Sequence, residues 1–229
     1  MDGILLFDKP ILWTSHDAVD FVRRLAGQRA VGHAGTLDPL ATGLLVLLIG
    51  KATKLSGTLV GMDKDYEGTL TLGFSTDTQD LEGRILAQAD PGMVTAGDLR
   101  RELAGMTGER DQETPFYSAA KRGGRKLYDL ARRGGVAEAP LPLRRVRIDA
   151  FDLRFFEPPD AAFALTCSKG TYVRALTEEL GRRLGCGAVL SSLVRTRIGP
   201  YRLSDALTEP ALRSPEGRQA LVRALRPVA

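Results

Sequence analysis

The segment GHAGTLDPLATGLL, residues 32–45, places one carboxylate, Asp38, on a glycine-punctuated loop just before an apolar run that continues to Ile49. A short apolar run of this kind is typical of a buried strand. Loops at strand ends often carry functional side chains, but an Asp-Pro pair is also a common turn initiator. The pattern indicates that Asp38 lies at a loop–strand junction, and it leaves a structural turn and a reactive carboxylate both open.

The rest of the chain mixes strand and helix patterns. Residues 64–72 alternate between apolar and polar side chains, which predicts a half-buried strand. Residues 14–27 and 95–105 each combine a capping Thr with an apolar face and a terminal Gly, which indicates helices, and residues 124–135 resemble a short basic helix. Because strands and helices do not alternate regularly, the predicted fold class is α+β, a mixed, mainly antiparallel sheet flanked by helices and loops.

Composition excludes several protein classes. The two cysteines, Cys167 and Cys186, form neither a disulfide framework nor a metal-binding spacing, and the chain has only two histidines, so no metal site is expected. The N-terminus is acidic where a signal peptide would be basic, and no apolar run reaches the length of a membrane span. We therefore predict a cytoplasmic protein that has no contact with a membrane.

The positive charge of the chain is local. Residues 121–147 contain nine Lys or Arg and two acidic residues, whereas the remaining chain is slightly negative. Such a cluster is typical of a segment that contacts phosphates in a nucleic acid. An arginine-rich solvated surface would show the same composition, so the pattern alone does not distinguish the two.

Phosphate-loop and serine hydrolase motifs are absent. A phosphate loop needs G-x-x-x-x-G-K-[ST], but Gly43 and Gly50 lie too far apart and Ala52 replaces the hydroxyl residue. The chain also lacks the G-x-S-x-G motif of the α/β-hydrolases. A nucleotide-binding transferase is therefore a weak alternative.

Residues 32–45 closely resemble the signature loop of the TruB-type tRNA pseudouridine synthases, whose Asp is the essential catalytic residue. Other segments resemble further motifs of this family in the same order: FDKP with TSHDAV (7–19), KDYEGTLTLGFSTDTQDLEG (64–83), TPFYSAAKRGGRKLYDLARRG (114–134), CSKGTYVRAL (167–176) and LSSLVRTRIGPY (190–201). Two positions depart from the family pattern, since Leu12 stands where Gly is usual and Thr114 replaces the first residue of a Pro pair. The resemblance spans nearly the whole chain and implies the pseudouridine synthase fold.

The resemblance also implies an activity and its catalytic residues. Enzymes of this family break the N1–C1′ bond of a uridine, rotate the uracil and rejoin it through C5, without a cofactor. The implied substrate is the uridine at position 55 in the T-loop of tRNA, flipped out of the folded RNA. By resemblance, Asp38 supplies an ionised carboxylate near C1′ as nucleophile or base, Arg174 stabilises its charge, and Tyr66 stacks on the target base. In isolation Tyr66 would be assigned to the core.

Further residues are implied to bind the RNA. Leu193 would close the other side of the base pocket, and His33 would fill the space that the flipped base leaves. Weaker candidates for positioning or phosphate contact are Lys9, Lys64, Tyr172 and Lys169. Contacts to the backbone of the T-arm are expected from basic side chains in the cluster, namely Lys121, Arg122, Arg125, Lys126, Arg132 and Arg133.

These inferences predict one catalytic domain over residues 1–229, with an RNA-contacting segment at about residues 114–147 that becomes ordered on tRNA. No separate C-terminal PUA domain, no guide RNA and a monomeric state are expected. One alternative is a guide-RNA-dependent relative of the archaeal and eukaryotic type. Another is an RNA-binding or tRNA-folding protein for which catalysis is secondary.

Overall fold

The structure is a computed structural model and describes residues 1–118, 121–122, 125–126 and 141–227. The strands are β1 (Gly3–Lys9), β2 (Val31–His33), β3 (Ala41–Ile49), β4 (Lys64–Leu72), β5 (Phe74–Thr76), β6 (Ile85–Gln88), β7 (Gly108–Glu113), β8 (Lys121–Arg122), β9 (Arg125–Lys126), β10 (Leu143–Glu157), β11 (Asp160–Cys167), β12 (Ala188–Ile198), β13 (Tyr201–Arg202) and β14 (Leu207–Thr208). The α-helices are α1 (Ser15–Ala26), α2 (Ser56–Val60), α3 (Ala96–Ala104), α4 (Val173–Leu184), α5 (Glu209–Arg213) and α6 (Gly217–Ala224), and 3-10 helices span Gly50–Leu55 and Leu203–Asp205.

Contacts divide the chain into two compact units. The first unit contains Met1–Glu67 and Ser192–Ala229, and the second contains Gly68–Ser191. Strands β4 and β12 each run through the boundary in sequence. The prediction of a single catalytic domain over residues 1–229 remains a prediction.

The first unit is built on a mixed sheet in the order β14-β1-β3-β12-β4. β1 and β3 are antiparallel, with Gly3 opposite Ile49, whereas β3 and β12 are parallel. Both β1 and β3 consist almost entirely of buried side chains, which is why their sequences are nearly continuous apolar runs rather than alternating ones. On one side, Phe7, Trp13 and Phe21 pack ring against ring, and this contact joins α1 to the sheet.

In the second unit, the strands lie in the order β12-β4-β11-β10-β7, and α3 and α4 flank them. β10 and β11 form a long antiparallel pair. The rings of Phe151 and Phe163 pack edge to face in this pair, with 5.3 Å between their centroids. The β5–β6 and β8–β9 pairs stand outside this sheet. The fold is therefore α+β with a mainly antiparallel sheet, which confirms the predicted class.

Local sequence signals account for the helix ends. Thr14 and Thr95 each cap a helix, and in both cases an Asp three residues later completes a capping box. Gly27 ends α1 in the left-handed conformation, as its position after the last apolar residue predicts. Among the described residues, no helix has the length and apolar character required to cross a membrane.

The secondary structure differs from the sequence-based prediction in two regions. Strand β7 was not predicted, because its sequence GERDQE is polar and only Gln112 of its side chains is buried. In the region predicted as a basic helix at 124–135, Arg125–Lys126 is instead a short strand paired with Lys121–Arg122. A pairing of two-residue strands carries no apolar periodicity of its own, so the sequence pattern could not distinguish this short hairpin from a helix. The rest of that predicted helix, including Arg132 and Arg133, lies outside the described residues.

Candidate active site

The loop that carries Asp38, residues 34–40, joins β2 to β3 in the first unit. Ala34 and Leu37 are buried, so the loop is anchored inward on both sides of its exposed Thr36. Asp38 is half-buried, and its carbonyl accepts a hydrogen bond from Ala41 N at 3.1 Å where β3 begins. The structure therefore places Asp38 at the predicted loop–strand junction. We call residues 34–40 the Asp38 loop.

The first turn of α1 supports this loop from one side. Ser15 is 3% exposed, and its Oγ accepts a hydrogen bond from Leu37 N at 2.9 Å. The same hydroxyl lies 3.2 Å from Leu37 O and can donate to it. Beside this contact, Leu12 N donates to Pro39 O at 2.9 Å. The residues on either side of Asp38 are thus bonded to the segment that leads into α1.

Strand β12 supports the loop from another side through Arg195. This arginine is 1% exposed, and its guanidinium donates to Leu44 O at 2.8 Å, Gly35 O at 3.1 Å and Thr36 O at 3.3 Å. Gly35 and Thr36 precede Asp38, whereas Leu44 lies on β3 after it. Burying a charged group without partners is costly, so three carbonyl acceptors stabilise the buried cation.

A second buried cation, Lys9, lies at the end of β1. Its side chain is fully buried, and Nζ donates to Pro10 O at 2.9 Å and Trp13 O at 2.6 Å. Burial lowers the pKa of Lys9 to about 8, the Asp38 carboxylate acts in the opposite direction, and Arg195 lowers it further. Lys9 therefore contributes positive charge to the surroundings of the Asp38 carboxylate.

Strands β3, β12 and β4 are neighbours in the sheet, and two further candidates lie on β12 and β4. Leu193 on β12 pairs in parallel register with Ala41, three residues after Asp38, and is 7% exposed. Because Leu193 and Arg195 are two residues apart on a strand, their side chains share the face that reaches the Asp38 loop. Tyr66 lies on the neighbouring strand β4 and is 8% exposed. Arg197 binds Asp65 with two hydrogen bonds, at 2.5 and 2.7 Å, and so fastens β12 to β4.

Two other predicted site residues of the first unit, His33 and Lys64, lie outside the Asp38 loop. His33 is the last residue of β2, opposite Leu47, rather than a residue of the loop itself. Burial lowers the pKa of His33, and the positive charge of Arg195 lowers it further. Its Nδ1 is buried and has no hydrogen-bond partner among the described residues. Lys64 is 5% exposed, and its Nζ donates to Val60 O and Met62 O. This setting ties Lys64 to the turn after α2, and its proposed contact with phosphate stays a prediction.

Arg174 lies in the second unit, in the first turn of α4, and is 5% exposed. Its guanidinium donates to Thr78 O at 2.7 Å and to Tyr117 O at 2.9 Å, and its Nε lies 3.8 Å from Asp80 Oδ2. Asp80 is itself 4% exposed and accepts a hydrogen bond from Glu82 N. The predicted partnership of Arg174 with Asp38 stays a prediction, whereas the contacts with residues 78–80 are present in the second unit.

Comparison with known proteins places these residues in a family. Residues 23–173 match the TruB family pseudouridylate synthase N-terminal domain. The chain belongs to the TruB family. It is 48% identical over 212 residues to tRNA pseudouridine synthase B of Opitutus terrae, covering 93% of this chain and 87% of that protein. It is 44% identical over 225 residues to tRNA pseudouridine synthase B of Bordetella pertussis, covering 97% of this chain and 91% of that one.

The fold supports the same placement. A chain of the crystal structure of a Cbf5-Nop10-Gar1 complex matches with a TM-score of 0.74 and 26% sequence identity. The match covers 98% of this chain and 60% of that chain, so this chain spans about 60% of its length. TruB-family proteins are pseudouridylate synthases, which are isomerases, and the predictions of family, fold and enzyme class are confirmed.

The described part of the basic cluster is partly neutralised. Arg145 on β10 forms ion pairs with Glu109 and Asp111 on the adjacent strand β7. Arg144 lies over the ring of Tyr172, 5.7 Å from its centroid. Tyr172 is held in turn by two backbone hydrogen bonds with the Gln112 side chain. Lys169 is exposed. RNA contact by Tyr172, by Lys169 and by the side chains of residues 121–133 stays a prediction.

Sequence reasoning missed the residues that support the Asp38 loop. Ser15 lies in the motif segment 7–19 and Arg195 in the segment 190–201, and neither pattern predicts a role for the individual residue. The available signal was an arginine two residues after Leu193, where strand alternation places both side chains on the same face. Among the described residues, no group of three or more His, Cys, Asp or Glu is arranged to hold a metal ion.

Proposed function

We propose that this protein converts the uridine at position 55 in the T-loop of tRNA to pseudouridine. The observation that carries the proposal is the Asp38 loop, whose carboxylate-bearing residue is bonded on both sides to buried elements of a TruB-family chain. The relatives with the printed name tRNA pseudouridine synthase B support tRNA as the substrate. Their higher identity, compared with 26% for the chain in the Cbf5-Nop10-Gar1 complex, favours action on tRNA without a guide RNA.

The proposed chemistry centres on the Asp38 carboxylate. The N1–C1′ bond breaks, the uracil rotates, C5 bonds to C1′, the proton on C5 leaves to solvent and N1 takes up a proton. The ionised Asp38 acts at the sugar, as nucleophile on C1′ or as base. The Lys9 ammonium is close enough to this carboxylate for Asp38 to raise the pKa of Lys9 against the effect of burial.

The proposed base pocket uses the strands beside this loop. Tyr66 on β4 would stack on the flipped uracil, and Leu193 on β12 would close the opposite side. Stacking of an aromatic side chain on a base contributes roughly 1–3 kcal/mol, which helps to offset the few kcal/mol that base flipping costs. His33, at the end of β2 and immediately before the Asp38 loop, would occupy the space left in the RNA.

The remaining proposed roles concern charge. Arg174 is the third catalytic residue of the proposal, and its buried, hydrogen-bonded guanidinium is oriented for use as a fixed positive group. The basic residues of the segment 114–147 would contact T-arm phosphates and so provide affinity without reading sequence. A monomeric state, a cytoplasmic location and ordering of this segment on tRNA belong to the same proposal.

The test measures tritium released from a tRNA transcript labelled at uridine C5. We expect about one label per tRNA to be released by the wild type, and none by Asp38→Asn, which keeps the size of the side chain but removes its charge. A second transcript carries cytidine at position 55 as the substrate control and should release nothing. Asp63→Asn, a substitution at another half-buried Asp of the same unit, serves as the matched protein control and should remain active.

Three results would contradict the proposal. Full release by Asp38→Asn would exclude Asp38, and release from the cytidine transcript would exclude position 55. No release by a wild type that still binds tRNA tightly would favour the alternative of an RNA-folding protein. Filter binding of the same transcripts to the same proteins separates this last result from loss of RNA binding.

A further inference from the structure

We propose that Arg195 and Ser15 are positioning residues that hold the Asp38 loop in the conformation used for catalysis. The inference rests on the proposed function, because it assumes that Asp38 is the catalytic carboxylate that these residues position. Neither side chain is proposed to touch the RNA. Both act through the backbone of the loop.

Arg195 bonds to the Asp38 loop and to strand β3 with one rigid group. Its Nε and two terminal nitrogens donate to carbonyls before Asp38, at Gly35 and Thr36, and after it, at Leu44. A planar guanidinium presents its donors in a fixed fork, so the three acceptors are held in a defined relation to one another. An ammonium group on a flexible chain cannot reproduce that relation.

Ser15 holds the residue immediately before Asp38. Its hydroxyl lies within hydrogen-bond distance of both N and O of Leu37. Because Ser15 is the first residue of α1, the loop is tied to that helix as well as to β12. Leu37, immediately before Asp38, is therefore bonded to α1, and the carbonyls of Gly35 and Thr36 are bonded to β12.

This arrangement exceeds what the turn needs for its own stability. Thr36 is exposed and Gly35 is half-buried, so solvent could satisfy carbonyls at such positions. The structure instead uses a buried arginine, a choice that carries a desolvation cost. Precise placement of a reacting group explains that choice, since displacement by about 1 Å can reduce a rate by about 100-fold.

The test compares three variants in single-turnover tritium release with enzyme in excess over labelled tRNA. We expect Arg195→Lys to slow release about 100-fold and Ser15→Ala about 10-fold, while the dissociation constant for tRNA changes less than about two-fold. Leu221→Ala is the matched control, since Leu221 is fully buried in α6 of the same unit and its apolar side chain can donate no hydrogen bond to the Asp38 loop. It should lower the unfolding temperature but keep the wild-type rate when assayed below that temperature.

Amide hydrogen exchange gives a readout that does not depend on activity. Residues 35–38 should exchange faster in Arg195→Lys and in Ser15→Ala than in the wild type, and Leu221→Ala should leave them unchanged. If Arg195→Lys fails to fold, Ser15→Ala, which removes one oxygen atom, carries the test. Rescue by the conservative change is not expected, because Lys cannot span three carbonyls.

The outcomes separate the two proposals. Wild-type release rates in both variants, or losses that follow stability equally in Leu221→Ala, would overturn the positioning role. Unchanged exchange at residues 35–38 would overturn it as well, whatever the activity. Absence of release by the wild type would instead refute the proposed function, and the exchange data would then decide only whether Arg195 and Ser15 hold the loop.

Discussion

Gly43 lies opposite Arg195 in the parallel pair of β3 and β12, and the two backbones are too close for a side-chain carbon between them. A Cβ on Gly43 would lie 2.6 Å from Arg195 O and 2.9 Å from Arg195 N. Gly43 also has a φ of 92°, a conformation that other residues rarely adopt. The residue that bonds the Asp38 loop thus depends on a glycine in the next strand for its own position.

Gly43→Ala should therefore destabilise the protein by about 3 kcal/mol, the combined result of left-handed strain and overpacking. The measurement is the urea dependence of unfolding followed by circular dichroism. Gly57→Ala is the control, because a Cβ there meets nothing within 4 Å and the residue lies in helix α2. It should be neutral or slightly stabilising, and equal effects of the two changes would refute the argument from close approach.

Leu12 adopts a φ of 68° although it is not glycine, and its side chain is 73% exposed. Left-handed backbone costs a non-glycine residue roughly 1–2 kcal/mol. Leu12→Gly should relieve this strain and should be more stable than Leu12→Ala by about 1 kcal/mol, as compared by urea unfolding. Leu12→Ala removes the same exposed side chain but keeps the Cβ, so a less stable Leu12→Gly would show that strain at this position is unimportant.

Lys9 should make stability depend on pH in the alkaline range. Burial lowers its pKa to about 8 from an ordinary value of 10.5, so between these values the unfolded chain binds more protons than the folded protein. The free energy of unfolding should thus rise with pH across this window, by roughly 3 kcal/mol for full deprotonation. Below pH 8 the cost of the buried charge is fully present.

The measurement for Lys9 is urea unfolding at pH 7.5 and pH 10 in the wild type and in Lys9→Met. The wild type should gain more stability, or lose less, than Lys9→Met over this range, because the comparison cancels the titration of other groups. Lys51→Met, at an exposed lysine, should show the wild-type dependence. An identical pH dependence in all three proteins would indicate that the pKa of Lys9 is not lowered.

Asp80 should stabilise the second unit through Arg174. The two side chains are each 6% exposed, with Nε and Oδ2 3.8 Å apart. Removing one charge of a buried pair is strongly destabilising, so Asp80→Asn should lower the free energy of unfolding by about 3 kcal/mol. Asp90→Asn, at an exposed carboxylate, should change it by less than about 0.5 kcal/mol. Equal unfolding curves for the two variants, measured thermally at neutral pH, would contradict the assignment.

Much of the fold was accessible from local sequence. The capping boxes at Thr14 and Thr95, the apolar run on β3 and the alternation along β4 each specify an element through interactions within a few residues. β7 escaped prediction because its polar sequence carries no local signal, and its pairing with β10 places Gln112 inward through contacts distant in sequence. The same limit applied to the short pairing of β8 and β9.

Some features of the candidate site could be predicted from the sequence, whereas others could not. Asp38 could be singled out from the sequence because its loop carries a long family motif, and the chain's membership of the TruB family followed from motifs alone. The sequence does not predict the ion pair of Arg174 with Asp80 or the three carbonyl bonds of Arg195, since the partners lie far apart along the chain.

Propensity, capping and periodicity act over a few residues, so the amino-acid sequence specifies which short segments form strands and helices. In contrast, tertiary packing is required to bring Arg195 to carbonyls that lie 151 positions earlier at Leu44 and 160 positions earlier at Gly35. The physical reason is that a buried cation must find acceptors in space, and the pairing of β3 with β12 is what brings those acceptors within reach.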